Sequence, residues 1–274
     1  MTSDPVMPYV FTNGIRLAYD RWGRGERVLM IMGSGAGGRV WTLHQTPAIT
    51  HAGYQAITFN HRGLTPSDAP VGKYALADMV ADTKGLIEAL GTGPCRIVGY
   101  SLGALIAQEL AIHHPELVRC AVLIATKARS DATREQHTRA WQALAASGVA
   151  LPRDFEAAVM AFEMLSPVTL NDDAAVSPWL DLFRHSQSDR VTAARQVWAE
   201  SPDDQRAALR SVSAPCRVVA FSDDLIAPPH LGREVAAAIP DCDVVEIDKA
   251  GHFGHLERPD EVNAAILEFL KRTD

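Results

Sequence analysis

Short apolar runs rich in valine and isoleucine recur along the chain, separated by turns and by longer amphipathic segments. We interpret eight of these runs as β-strands, at residues 9–11, 15–22, 28–32, 55–59, 96–100, 121–125, 217–222 and 243–247. The last six show little alternation of polar and apolar positions, as expected of strands that helices cover on both faces. The first two alternate more and are joined by Thr12-Asn13-Gly14, which indicates an antiparallel hairpin.

Helical periodicity fills most of the intervals between these strands. The predicted helices span residues 41–52, 76–90, 102–114, 229–238 and 260–271. In the last of them, Val262, Ile266 and Phe269 recur on one face, which is the pattern of a helix packed on a core. Strands and helices that alternate in this way are typical of a doubly wound α/β sheet. We therefore predict an α/β fold with a mostly parallel, eight-stranded sheet flanked by helices.

The alternation stops between residues 128 and 212, where the sequence contains no convincing strand. Five segments there have helical patterns, at residues 133–146, 152–165, 178–185, 191–200 and 203–212. The strand pattern resumes after residue 212, and the two later strands need the six earlier ones to complete a sheet. We therefore expect one α/β core made of residues 1–127 and 213–274, with residues 128–212 inserted as a helical cap after the sixth strand.

Composition limits the classes of partner. The chain of 274 residues carries a formal net charge of −7, which disfavours nucleic acid and anionic membrane surfaces as partners. No apolar run approaches the ~20 residues that span a bilayer, and the first residues do not resemble a signal peptide. The four cysteines lack metal-type spacing and indicate buried thiols in a reducing compartment. These features predict a cytoplasmic enzyme without a metal site.

One short motif joins the fifth strand to the next helix: Gly99-Tyr100-Ser101-Leu102-Gly103. A serine on such a sharp turn takes strained backbone angles, so the residues two places away must be small enough for strand and helix to approach. The turn presents the hydroxyl at a helix N-terminus, where backbone N–H groups favour a developing negative charge. We predict that Ser101 is a nucleophile. A purely structural glycine-rich turn is the alternative interpretation.

In this context the chain resembles the α/β-hydrolase superfamily over nearly its full length. Members of that family place a nucleophile after the fifth strand, a helical cap after the sixth, an acid after the seventh and a histidine after the eighth. The resemblance implies Asp224 as the acid, since it stands four residues before Pro228, and Asp223 is the competing carboxylate. It implies His252 as the base, in a Gly-His…Glu-x-Pro segment, and His255 is expected at the surface or in a cavity wall.

A glycine-rich segment, Met32-Gly33-Ser34-Gly35, stands after the third strand in the place of the family's His-Gly loop. The resemblance implies an oxyanion hole there, and our candidate donors are the backbone N–H groups of Ser34 and Leu102. Met32 replaces the histidine that often braces this loop, so its support must come from elsewhere. The segment lacks the G-x-G-x-x-G spacing of a dinucleotide site, and we expect no cofactor.

A second departure from the family pattern is Asn60, which replaces the acid of an Asp-x-Arg-Gly-x-Gly-x-Ser turn. Arg62 in the same turn is expected to brace the loops beside the site. We also expect Gly33, Tyr100 and Trp41 to contact the substrate.

The predicted cap is rich in large apolar side chains. They are Trp141, Trp179, Trp198, Phe155, Phe162, Phe183, Met160 and Met164. Most are expected to pack the cap helices against each other, because apolar residues at helical spacing more often form a core than line a pocket. A minority should face Ser101. A cap that roofs the nucleophile and excludes water favours a medium-sized, largely apolar acyl compound as the substrate.

These features predict a serine hydrolase that cleaves a carboxylic ester, thioester or lactone through an acyl-enzyme. His252 takes the proton from Ser101, and Asp224 orients the imidazole. The Met32-Gly33 loop resembles loops of hydrolases and methylesterases that tailor polyketides and antibiotics, which suggests a role of that kind. Two alternatives keep the same site: a lyase that eliminates an acyl group with His252 as base, and a ligand sensor that retains the triad and moves the cap.

Overall fold

A single eight-stranded sheet runs through the protein, whose computed structural model describes residues 7–185, 195–196, 199 and 204–273. Its strands are β1 (Tyr9–Thr12), β2 (Ile15–Gly23), β3 (Arg27–Ile31), β4 (Gln55–Phe59), β5 (Cys95–Tyr100), β6 (Val118–Ile124), β7 (Cys216–Phe221) and β8 (Cys242–Ile247). Their spatial order is β1-β2-β4-β3-β5-β6-β7-β8, with antiparallel pairing at β1–β2 and β2–β4 and parallel pairing elsewhere. The predicted fold class is confirmed.

Helices occupy the intervals between the strands. They are α1 (Gln45–His51), α2 (Leu76–Leu90), α3 (Leu102–His113), α4 (Ala132–Ser147), α5 (Arg153–Met164), α6 (Pro167–Leu170), α7 (Asp173–His185), α8 (Pro229–Ala238), α9 (Gly254–Glu257) and α10 (Pro259–Arg272). Short 3-10 segments lie at Gly38–Leu43, Pro115–Leu117 and Ala208–Ser211. No helix in the described residues is long and apolar enough to cross a membrane.

The sheet has a buried apolar cluster on each face, and neighbouring residues of β5 point to opposite clusters. Ile97 packs under α2, α3 and α8, whereas Val98 packs under α1 and α10. Neither side chain has accessible surface. Because both faces of the strand are covered, both sets of positions are apolar, which explains the unbroken hydrophobic sequence of the central strands.

Some predicted helices differ from the observed ones. The segment predicted at 41–52 is divided, because His44 leaves helical geometry with φ −143° and ψ −50° between Gly38–Leu43 and α1. Helix α7 begins at Asp173, before the predicted start, and contains Pro178 in its interior. Within 203–212, the described residues form only the 3-10 turn at Ala208–Ser211. The helix predicted at 191–200, with Trp198, lies largely outside the described residues.

The inserted segment enters after β6 and returns at β7. Its described residues form helices and turns and include no strand. Helices α5 and α7 share a small apolar cluster of their own, formed by Ala157, Ala161, Leu165, Val176 and Phe183. Phe253, from the loop that follows β8, packs against this cluster. The insert therefore lies against the loops at the carboxyl ends of the strands, and the domain boundaries at 127/128 and 212/213 stay a prediction.

Candidate active site

Ser101 occupies a strained turn between β5 and α3. Its backbone has φ 53° and ψ −116°, a region that residues other than glycine rarely adopt. A Cβ atom at Gly99 would lie 2.4 Å from the carbonyl oxygen of Gly103, and one at Gly103 would lie 2.1 Å from the carbonyl oxygen of Ile31. Both glycines are thus required for the close approach of strand and helix that exposes the serine hydroxyl.

A histidine and an aspartate from two later loops meet this serine. His252 Nε2 lies 3.0 Å from Ser101 Oγ, and His252 Nδ1 lies 2.8 Å from Asp224 Oδ2. The other oxygen of Asp224 accepts the N–H groups of Ile226 and Ala227, each at 2.8 Å. Because a carboxylate can only accept, Nδ1 carries the ring proton and Nε2 accepts the serine hydroxyl.

The geometry chooses between the two adjacent aspartates. Asp223 donates its backbone N–H to the carbonyl of Ala250 at 3.0 Å, and its side chain is partly exposed. Asp224 is 2% exposed and His252 is 4% exposed, so their hydrogen bond is shielded from water. The structure therefore pairs the imidazole with Asp224.

Tyr100 holds the backbone of the histidine loop. Its hydroxyl donates to the carbonyl of His252 at 3.0 Å, and the two rings lie 5.3 Å apart. Burial raises the pKa of the Tyr100 phenol well above its ordinary value, which keeps the group a donor. The histidine loop is thus held in place by Tyr100, the residue that directly precedes the nucleophile.

Two residues expected to contact the substrate lie behind the site instead. Trp41 is 0% exposed and packs edge-on against Tyr100 with centroids 6.3 Å apart, and Tyr100 is itself buried. These rings offer no surface to a ligand in this structure, because each fills the core beneath the elbow. Gly33 does lie beside the nucleophile: a Cβ atom there would be 3.3 Å from Ser101 Cβ.

Of the two positions expected for His255, the surface and a cavity wall, the structure excludes the surface. His255 is 0% exposed, and its ring lies 4.2 Å from that of Tyr100. Burial lowers the pKa of His255 to about 3, with a smaller contribution from the nearby His252. The ring is therefore neutral, and it adds no charge behind the triad.

The loop expected to supply an oxyanion donor receives a brace from the insert. Gln196 is fully buried, and its Oε1 accepts the N–H of Gly35 at 2.7 Å and the hydroxyl of Ser34 at 3.3 Å. Its amide group donates to the carbonyl of Arg62 at 3.1 Å. Sequence reasoning missed this residue, because Gln196 lies 162 positions from Ser34 along the chain and belongs to no motif.

Further braces replace the missing histidine of this loop. His61 Nε2 donates to the carbonyl of Met32 at 2.9 Å, and Asn60 Oδ1 accepts the N–H of Gly38 at 2.9 Å. Arg62 binds the carboxylate of Asp82 through two nitrogens at 2.6 and 2.7 Å, so it braces the adjoining turn as expected. The departures at Met32 and Asn60 are thus compensated by neighbouring side chains.

Ser34 and Leu102 stay our predicted oxyanion donors. Leu102 is the first residue of α3, and the N–H groups of a first helical turn have no acceptor within the helix. Ser34 follows Gly33, which lies beside Ser101. In the described residues, no three His, Cys, Asp or Glu side chains are grouped as a metal ion would need.

The cap covers the side of the site that carries the histidine. Phe253 lies 6.0 Å from the rings of both Trp179 and Phe183, and its N–H donates to the carbonyl of Met164 at 2.9 Å. The residue that follows His252 in the chain is therefore held against aromatic side chains of the insert. A hydroxyl bonded to an imidazole that a carboxylate orients can attack an electrophilic carbonyl carbon, which is the chemistry of acyl transfer.

Comparison with known proteins identifies the fold family. A family model for the alpha/beta hydrolase fold matches residues 26–259. A Mycobacterium tuberculosis protein provisionally named non-heme bromoperoxidase BpoC is 44% identical over 257 residues, which are 93% of this chain and 98% of that protein. The crystal structure of the strain H37Rv protein of that name matches with a TM-score of 0.91 at 42% identity, covering 94% of this chain and 96% of the other.

More distant relatives carry hydrolase names. An Azorhizobium caulinodans protein provisionally named carbamate hydrolase RutD is 27% identical over 271 residues, which are 98% of this chain and 100% of that protein. The pimeloyl-acyl-carrier-protein methyl ester esterase of Chromobacterium violaceum is 27% identical over 263 residues, 94% of this chain and 99% of the esterase. From the family match and the identity over nearly its whole length, this chain belongs to the α/β-hydrolase fold family.

Proposed function

We propose that the protein is a serine hydrolase that cleaves a carboxylic ester, thioester or lactone through an acyl-enzyme. The observation that carries this proposal is the relay from Ser101 Oγ to His252 Nε2 at 3.0 Å and from His252 Nδ1 to Asp224 Oδ2 at 2.8 Å. A hydroxyl held in this way loses its proton to the imidazole as it attacks, and the buried carboxylate stabilises the imidazolium that forms.

The reaction divides into two acyl transfers. In the first, Ser101 attacks the carbonyl carbon, the backbone N–H groups of Ser34 and Leu102 stabilise the oxyanion, and His252 returns the proton to the leaving group. In the second, water attacks the acyl-enzyme, gives its proton to His252 and releases the acid, which restores Ser101. No atom is supplied beyond substrate and water.

The substrate is proposed to be a medium-sized, largely apolar acyl compound. Phe253, which follows His252 in the chain, packs against Trp179 and Phe183 of the insert. These rings are proposed to supply apolar surface for an acyl chain. Names of relatives as a carbamate hydrolase and a methyl ester esterase support attack at a carbonyl carbon. A role in tailoring natural products is the narrower proposal, and the Met32-Gly33 loop supports it.

A second activity is proposed from the name of the 44% identical relative, a non-heme bromoperoxidase. If hydrogen peroxide replaces water in the second acyl transfer, the acyl-enzyme releases a peracid. The peracid transfers its terminal peroxy oxygen to bromide, so that the O–O bond breaks, hypobromite forms and the carboxylic acid is regenerated. This activity needs the same Ser101. Bromination that depends on peroxide and a carboxylic acid or ester, and that is lost in Ser101→Ala, is the expected result; bromination retained in Ser101→Ala contradicts it.

The test of hydrolysis uses a series of chromogenic esters in H₂¹⁸O. Acyl transfer to water places one labelled oxygen in the released acid, and Ser101→Ala should lower turnover by several orders of magnitude. Elimination from an ester gives unlabelled acid and an alkene, and would move the assignment to a lyase. Ligand-dependent binding of a protein partner without turnover of any ester would favour a sensor.

A further inference from the structure

One carboxylate joins the histidine loop to the cap. Glu257 closes α9, and its Oε2 accepts the N–H of Gly251 at 2.7 Å. Its Oε1 accepts the N–H of Ser166 at 3.0 Å, the hydroxyl of Ser166 at 2.8 Å and the hydroxyl of Thr169 at 2.6 Å. Gly251 directly precedes His252, whereas Ser166 is the N-cap of α6 in the insert and Thr169 lies within that helix. Each oxygen of Glu257 therefore holds a different part of the protein.

The backbones of these two parts are in direct contact. A Cβ atom at Gly251 would lie 2.6 Å from the carbonyl oxygen of Met164 and 2.5 Å from the carbonyl carbon of Leu165. On the other side of His252, Phe253 donates its N–H to the same Met164 carbonyl at 2.9 Å. The turn between α5 and α6 thus touches the chain on both sides of His252.

We propose that Glu257 is a positioning residue that couples the cap to the catalytic histidine. This inference rests on the proposed function, since it gives His252 the role of base. Hydrogen bonds to an ionised carboxylate are shorter and stronger than neutral ones, so four donors on Glu257 fix both partners together. Because a misplacement near 1 Å can cost about a hundredfold in rate, a small movement of the loop is sufficient to slow the reaction.

The alternative is that Glu257 only stabilises the fold. A purely stabilising residue lowers the melting temperature when it is changed, but leaves the reactivity of Ser101 unaltered well below that temperature. A coupling residue alters the reactivity of Ser101 and the mobility of the histidine loop under conditions where the protein is fully folded.

Three variants separate these roles. Glu257→Gln removes the charge, and Ser166→Ala combined with Thr169→Val removes the two hydroxyl donors of the cap and leaves the bond to Gly251 in place. Glu261→Gln is the matched control, because Glu261 is an exposed carboxylate in the first turn of α10.

The measurements are the rate of fluorophosphonate labelling at Ser101, kcat and KM for an ester, and amide hydrogen exchange of residues 250–254. Glu257→Gln is expected to slow labelling about tenfold and to lower kcat more than it raises KM. The double variant is expected to speed exchange in the histidine loop and to lower kcat several-fold, although it changes only the cap. Glu261→Gln should match the wild type in all three.

Unchanged labelling and exchange in Glu257→Gln and in the double variant would overturn the coupling, even if both proteins melt earlier. If Glu257→Gln does not fold, the double variant alone tests whether the cap is coupled to His252. If the wild type is not labelled at Ser101, the proposed function fails, and the exchange of residues 250–254 in the double variant still shows whether the cap holds the loop.

Discussion

At the scale of single residues, Asp224 and Asp223 differ in what each carboxylate can do for His252. Asp224 is fixed by two backbone N–H groups and faces the imidazole at 2.8 Å. Asp224→Asn places an amide at this position, which favours the wrong tautomer of the ring, so kcat for ester hydrolysis should fall by up to ~10⁴. Asp223→Asn is the matched control and should change kcat less than about tenfold. A crippling effect of Asp223→Asn alone would reverse the assignment.

His255 makes the stability of the protein depend on pH. Its folded pKa is about 3, because burial excludes the charged form, whereas an unfolded histidine has a pKa near ~6.5. Between these values the unfolded chain binds a proton that the folded chain does not. Stability is therefore lost as the pH falls below about 6.5 toward 3, by about 1.4 kcal/mol for each pH unit.

His255→Phe removes this group and keeps an aromatic ring beside Tyr100. From pH 7 to pH 5, the wild type should lose about 2 kcal/mol more of its unfolding free energy than the variant does. Urea unfolding at the two pH values measures the difference, and His61, also buried, contributes equally to both proteins. Equal losses in wild type and variant would show that His255 is protonated in the folded state.

At the scale of elements, apolar runs alone were sufficient to place all eight strands within a few residues, because most strands are covered on both faces or pair in a hairpin. The edge strand β8 keeps an apolar run although Val244 is exposed. The break at His44 and the start of α7 before Pro178 depend on tertiary packing, which the local pattern does not contain. The same holds for Trp41, whose aromatic character is equally suited to a pocket or to the core, and which the fold places in the core.

Because Gln196 holds the loop of the predicted oxyanion donor, we expect its replacement to lower kcat rather than to raise KM. Gln196→Leu leaves the N–H of Gly35 and the hydroxyl of Ser34 without their acceptor, so the loop that carries the predicted oxyanion donor loses its position. Loss of an entire donor costs about 10²–10³ in kcat, and we expect a somewhat smaller loss here, with KM little changed. Gln196→Glu keeps the acceptor oxygen and should retain more activity. Equal kcat in the wild type and Gln196→Leu would contradict the brace.

We expect the cap helices to determine selectivity for the length of the acyl chain. Trp179 packs on Phe183 and on Phe253, the residue that follows His252, and it is not a member of the triad. Trp179→Ala should alter the ratio of kcat/KM for long and short acyl esters, while a small fluorophosphonate still labels Ser101. Phe162→Ala, at an exposed position of α5, is the control and should leave the ratio unchanged. Loss of labelling in folded Trp179→Ala would mean that the cap assembles the triad itself.

At the scale of the whole molecule, parallel strands gather the reacting groups at one edge of the sheet. Ser101, Asp224 and His252 follow β5, β7 and β8, and the order of these loops along the chain was readable from their motifs. The contacts that join cap and core were not, because Glu257 binding Ser166 and Arg134 donating to the carbonyl of Leu225 connect residues about ninety positions apart. The cap is thus tied to the loop of the base and to the loop of the acid.

The central claim is that Ser101 is an activated nucleophile within this assembly. Fluorophosphonate labelling of the wild type, followed by mass mapping of the modified peptide, tests it most directly. We expect one label on Ser101, no label in Ser101→Ala and much slower labelling in His252→Ala, because only a serine bonded to the imidazole is activated. A label on another serine, with Ser101 unmodified, would contradict the assignment.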